Sequence, residues 1–183
     1  MSFGKELLLS CILMMNISFV ALLPLDLGML RERMEHIELS LCNLMEAERE
    51  YVKQMFHGDA PMKYKSNSLQ PLEGITFPVG NATEEIRASV CAISDYLDNH
   101  LLMIIRELIQ EHGHLINQIR AFHIQFKAAV EPRRRDPDEQ KRCHRNVTMS
   151  HTYAKKVFGI QIIYFARKWV EGFTNTTISC NLT

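Results

Sequence analysis

The groups with which this chain could do chemistry are its eight histidines, five cysteines, scattered Asn-x-Thr triplets and one dense basic run. His112-x-His114 with His100 and His123 to either side raises the question of a metal, since zinc takes imidazoles at short spacing. Neither a His-Glu-x-x-His pair nor a convincing carboxylate partner accompanies them, and no Cys-x-x-Cys pair is present, so they read as solvated turn histidines. Serine, histidine and aspartate all occur, but without a Gly-x-Ser-x-Gly elbow or a phosphate-cradling glycine loop. No catalytic residue, cofactor or metal is therefore expected, and the chain does not read as an enzyme. Arg133-Arg134-Arg135 and Lys141-Arg142 would suit a glycosaminoglycan, yet Asp136, Asp138 and Glu139 are interleaved with them, as in a solvated charged loop.

What remains is covalent chemistry of export. Lys5 precedes an apolar run from Leu7 to Leu23, short for a membrane span and ordered like a secretory leader. Residues 1–28 are accordingly read as a signal peptide cleaved somewhere between about residues 19 and 29, with a retained signal anchor as the alternative. Glycosylation sequons begin at Asn81, Asn146, Asn175 and Asn181, each in a place that reads as a loop, a helix start or the tail. Loss of the leader removes Cys11 and leaves Cys42, Cys91, Cys143 and Cys180, enough for two disulfides in three connectivities. A secreted, extracellular protein follows from these features.

Helices must position these groups. A chain of 183 residues, 46% hydrophobic and formally neutral, is long enough for one cored domain over residues 29–183 and too balanced to suggest a nucleic-acid partner. Leu30, Met34, Ile37, Leu41, Leu44, Tyr51 and Met55 recur at helical spacing up to Gly58. Pro61, Pro71, Gly74, Pro78 and Gly80 make a long loop after it. Thr83-Glu84-Glu85 opens a second helix carrying Ile86, Val90, Ile93, Leu97, Leu101, Ile104 and Leu108. Gly113 marks a tight turn, and a third helix from about Leu115 to Val130 stops at Pro132. After a second long loop, Phe158, Ile162, Phe165, Trp169 and Phe173 give a fourth helix over residues 150–173. Long, short and long connections predict an all-α, long-chain four-helix bundle running up-up-down-down, the cytokine arrangement. In that topology Cys91 lies near the end where the last helix finishes, so the expected pairs are Cys42–Cys143 and Cys91–Cys180.

Tyr153 and Lys156 stand a turn before the apolar run of the fourth helix, where no core position demands them. An exposed aromatic three residues from a cation is a plausible partner anchor. Tyr51-Val-Lys-Gln-Met-Phe-His-Gly58-Asp59-Ala-Pro61, Phe77-Pro78 with a sequon and Thr83-Glu84, and Lys155-Lys156-Val-Phe-Gly159-Ile-Gln161-Ile162-Ile163 together resemble the interleukin-6 family, most of all its leukaemia inhibitory factor branch. The resemblance covers about residues 30–173 and is strong in those three patches.

The resemblance implies that Tyr153 and Lys156 occupy a Phe-x-x-Lys motif that grips the leukaemia inhibitory factor receptor. It implies a second surface for glycoprotein 130 formed by His36, Leu39 and Asn43 on the first helix and Arg120, Ile124 and Lys127 on the third. Leu39 and Ile124 break the core-facing pattern of their helices, as the apolar centre of an interface would. The chain departs from the branch at Tyr153 in place of Phe, and at Gln70 and Ile160 where that branch carries a disulfide. The reading is a secreted, monomeric cytokine that assembles receptor ectodomains, with no membrane insertion once the leader is gone. An interferon-like or interleukin-12 alpha-like cytokine, or a helical glycoprotein without signalling activity, are the alternatives.

Overall fold

The computed structural model describes residues 38–61, 64, 69, 71–77, 83–110, 112–130, 143–174 and 180. These residues are helical wherever they are regular, with no strand among them. Helix α1 spans Glu38–Phe56, α2 Thr83–Asp95, α3 Leu102–Leu108, α4 Gly113–Val130 and α5 Thr152–Thr174. A π-helical segment, Tyr96–Leu101, joins α2 to α3 with right-handed helical dihedrals at both junctions. The leader at 1–28, His36, Asn81, Asn175, Asn181 and the basic run at 133–142 lie outside the described residues, as does the side chain of Leu39.

The apolar spacing that predicts each helix also selects its buried face. Leu41, Leu44, Tyr51 and Met55 of α1 meet Leu115, Ile119, Phe122 and Phe126 of α4 and Ile162, Phe165, Trp169 and Phe173 of α5 in one core. Trp169, Tyr51, Phe122 and Phe126 are each fully enclosed, which stabilises the fold by roughly 2–3 kcal/mol apiece relative to exposure. Their rings interlock as well: Phe126 stands edge-on to Trp169 at 6.0 Å, and Trp169 stacks on Phe173 at 5.2 Å. α4 starts at Gly113 itself, so that glycine opens the helix and is not a free turn.

The end of α1 is closed by backbone geometry and by α5. His57 and Gly58 both have positive φ, at 53° and 85°. Gly58 N then reaches Val52 O at 3.3 Å and Asp59 N reaches Phe56 O at 2.9 Å, the bonding of a left-handed helix exit. Lys156 of α5 supplies a further donor, its Nζ lying 3.0 Å from Met55 O. Two other cross-helix bonds set relative direction. Ser40 at the start of α1 bonds Gln125 near the end of α4, and Lys155 at the start of α5 pairs with Glu107 at the end of α3 at 2.5 Å.

Loop residues are pinned onto this framework by buried polar groups. Trp169 Nε1 donates to Thr76 O at 3.1 Å, Tyr96 Oη to Glu73 O at 3.0 Å, and Ser89 Oγ to Thr76 O at 3.1 Å. The segment after Cys143 runs beside α2, where Asp95 Oδ2 accepts the Arg145 N–H at 2.8 Å. That course decides the disulfides. Cys91 pairs with Cys143 at a Cα separation of 5.2 Å, and Cys42 with Cys180 at 5.6 Å, which corrects the expected Cys42–Cys143 and Cys91–Cys180 pairs. Topology alone left both Cys42 and Cys91 open to the tail; the hydrogen bonds that hold residues 143–145 on α2 reserve Cys91 for the loop.

Candidate functional site

Tyr153 is the second residue of α5 and 59% exposed, far more than a core aromatic would be. Phe56, the last residue of α1, meets its ring edge-on at 6.4 Å. Behind Phe56 lies the ring of Tyr51 at 6.5 Å, fully buried, with its hydroxyl donating to Lys156 O at 3.1 Å. Burial holds that phenol well above the ordinary tyrosine range, so it stays a neutral donor. An exposed ring on a rigid aromatic base is a low-entropy anchor for a protein partner.

Lys156 departs from the sequence expectation. It is half-buried, and its ammonium satisfies the Met55 carbonyl at the negative end of α1 instead of waiting free in solvent. Structure therefore does ask for a cation at this position. Lys155 is likewise engaged, with Glu107. The tyrosine and the lysine share one corner of the molecule, but the tyrosine carries most of the accessible surface there.

The second predicted surface is brought together in part. Ile124 is 67% exposed and Arg120 is exposed one turn before it on α4. Asn43 is half-buried on α1. Lys127, seven residues after Arg120, shares that face of α4, and its ammonium pairs with Asp98 of the π segment at 2.9 Å. Gln125, which bonds Ser40 of α1, lies about 140° from Arg120 and about 160° from Lys127 around α4, so these two cations face away from that contact together. His36 and the Leu39 side chain fall outside the described residues.

The histidines correct a second expectation. His100 and His123 are buried, not solvated, and each has the carboxylate neighbour that spacing did not reveal. His100 Nε2 lies 2.9 Å from Arg145 O and 3.6 Å from Asp95 Oδ2, while His123 Nδ1 lies 3.0 Å from Asp98 Oδ1. Tyr96, Leu97, His100 and Leu101 of the π segment are all buried, and His100, three residues after Leu97 and four before Ile104, falls on the face that the apolar spacing of this helix already marks. His112 Nδ1 contacts Ile109 O at 2.9 Å at the turn itself. Burial of Asp95 opposes its charge, but bonds from Asn99, the Arg145 N–H and His144 outweigh it and hold the carboxyl below its usual range. Among the described residues no group of histidine, cysteine and carboxylate side chains could hold a metal ion.

A cleft of about 430 Å³ lies on the other flank of α1, lined by Met45, Glu48, Arg49, Val52, Tyr64 and Arg167 among others. Arg167 is committed there: Nε meets Glu48 Oε2 at 2.7 Å and Nη1 meets Glu171 Oε1 at 2.9 Å, and Tyr64 donates to the same Glu48. Burial lowers the Arg167 pKa, yet these carboxylates more than offset it and the net shift is upward. The cleft thus presents satisfied charges rather than a catalytic pair.

Of the four sequon asparagines, Asn146 is described; it is exposed in the irregular segment before α5. No described helix is long and apolar enough to cross a membrane. Nothing in the sequence beyond two aromatics at the end of one helix signals that Phe56 and Tyr51 pack beneath Tyr153. The chain matches no family model, no curated protein and no solved structure.

Proposed function

We propose that the chain is a secreted helical cytokine of the interleukin-6 type that binds two kinds of receptor ectodomain and signals by assembling them. The observation that carries this reading is Tyr153, exposed at the head of α5 on an edge-on Phe56 base, the residue that the resemblance to the leukaemia inhibitory factor branch aligns with its receptor-gripping aromatic. Ile124 with Arg120 on α4 is the companion surface, assigned to a glycoprotein 130 type receptor. The up-up-down-down bundle is supported by three contacts. The ends of α1 and α3 both meet the start of α5, and the start of α1 meets the end of α4. Two disulfides suit an oxidising, extracellular setting. On this reading the protein is a monomer without chemistry of its own, and its occupied sequons are surface modifications.

Surface-binding kinetics of the secreted chain against a panel of cytokine-receptor ectodomains test this. Roughly nanomolar binding to a leukaemia inhibitory factor receptor type and to a glycoprotein 130 type ectodomain is expected, with both bound at once. Stable self-assembly with no binding across the panel would replace it with the structural-glycoprotein reading. Binding confined to interferon or interleukin-12 receptor chains would move the protein to another cytokine class.

A further inference from the structure

Gly159 sits inside α5, where glycine costs a helix about 1 kcal/mol relative to alanine. Its position explains it. A Cβ built there would lie 2.6 Å from Tyr51 Cζ and closer still to the hydroxyl, whereas a Cβ at Gly113 or Gly172 meets nothing within 4 Å. The missing side chain lets a fully buried tyrosine from α1 press against the backbone of α5. From there Tyr51 Oη donates to Lys156 O at 3.1 Å, and the same Lys156 sends Nζ back to Met55 O at 3.0 Å. Two bonds thus cross the seam in opposite directions through one lysine. Phe56 follows Met55 directly and rests between Tyr51 and Tyr153, at 6.5 and 6.4 Å.

We infer that Gly159, Tyr51 and Phe56 are positioning residues for the Tyr153 surface, an inference that rests on the receptor-binding reading of that surface. Tyr51 fixes the height and rotation of α5 against the end of α1, and Phe56 transmits that setting to the exposed ring. The positive φ at His57 and Gly58 ends α1 immediately after Phe56, so the supporting ring is held at a helix terminus that cannot extend past it. None of the three has to touch the receptor: Tyr51 and Gly159 are buried and Phe56 half-buried.

The test uses the full-length secreted protein with 3-fluorotyrosine, reading the Tyr153 fluorine resonance, assigned by its loss in Tyr153→Phe. The same samples are measured for binding to the two receptor ectodomains. Gly159→Ala and Phe56→Leu are each expected to shift the Tyr153 resonance and to weaken the α5-side receptor about threefold to tenfold, the worth of an aromatic edge contact. Glycoprotein 130 binding should stay within about twofold, since a surface on another helix is independent of this corner. Phe56→Tyr restores the aromatic edge and should return both readouts. An unmoved resonance and unchanged binding in Gly159→Ala and Phe56→Leu would overturn the inference, as would equal losses at both receptors. Should Gly159→Ala fail to fold, the Phe56→Leu and Phe56→Tyr pair decides by itself. Tyr153→Ala is the separating control: if it leaves α5-side binding intact, the receptor reading fails, while the fluorine shift, measured without receptor, still decides the positioning.

Discussion

Tyr153 and Lys156 look equivalent as a sequence motif, but the structure makes them unequal. Tyr153→Ala removes an exposed ring, so stability should move by less than about 0.5 kcal/mol while α5-side receptor affinity falls about thirtyfold, near 2 kcal/mol. Lys156→Ala also deletes the bond to Met55 O, so about 1 kcal/mol of stability should go with the affinity. Thermal melts beside binding curves separate the two; equal melts would contradict the capping role. Tyr153 was legible because it falls outside the apolar period of its helix. The capping by Lys156 was not, since it depends on how far α1 extends across α5. Asp95 offers a pH test at the same scale. Its native pKa is depressed, so its contribution is complete above the unfolded carboxylate pKa and is lost as pH falls through the lower native value. Asp95→Asn should cost roughly 1–3 kcal/mol at neutral pH and flatten the acid limb of the stability curve, although Glu171, shifted in the same direction, leaves part of that limb in place. An acid limb identical to wild type would show that Asp95 contributes nothing.

Among the elements, apolar spacing located the helices well: α5 lies where Phe158 to Phe173 placed it, and α2 begins at Thr83 with Glu84 and Glu85 in its first turn. The π segment could not be read, because its buried residues keep the three- and four-residue spacings of a straight helix; the inward place of His100, three after Leu97 and four before Ile104, could have been read from that spacing. Cysteine pairing was equally hidden, since it rests on the path of residues 143–149 rather than on helix order. Cys91→Ser with Cys143→Ser opens a loop of 52 residues and should cost about 4 kcal/mol by chain entropy, releasing the segment that leads into α5. Hydrogen exchange at residues 144–150 would rise well before that of α4. Uniform protection across both would mean that the hydrogen bonds to Asp95 and His100 hold the segment without the disulfide.

At the scale of the whole molecule, the proposed secretion predicts that residues 1–28 are removed and that at least two of Asn81, Asn146, Asn175 and Asn181 carry glycan. Intact mass before and after deglycosylation checks this, and an unchanged mass would refute it. The two disulfides have a further consequence. Cys91–Cys143 lies wholly inside the span from Cys42 to Cys180, so the two covalent loops are nested, not crossed. Cutting the backbone once between residues 62 and 81 and once within Arg133-Arg134-Arg135 gives three pieces carrying Cys42, Cys91, and Cys143 with Cys180. The last piece is bonded to each of the other two. A doubly nicked molecule should therefore migrate as one species until it is reduced and then fall into three, so cleavage between its helices alters the chain without dispersing the protein.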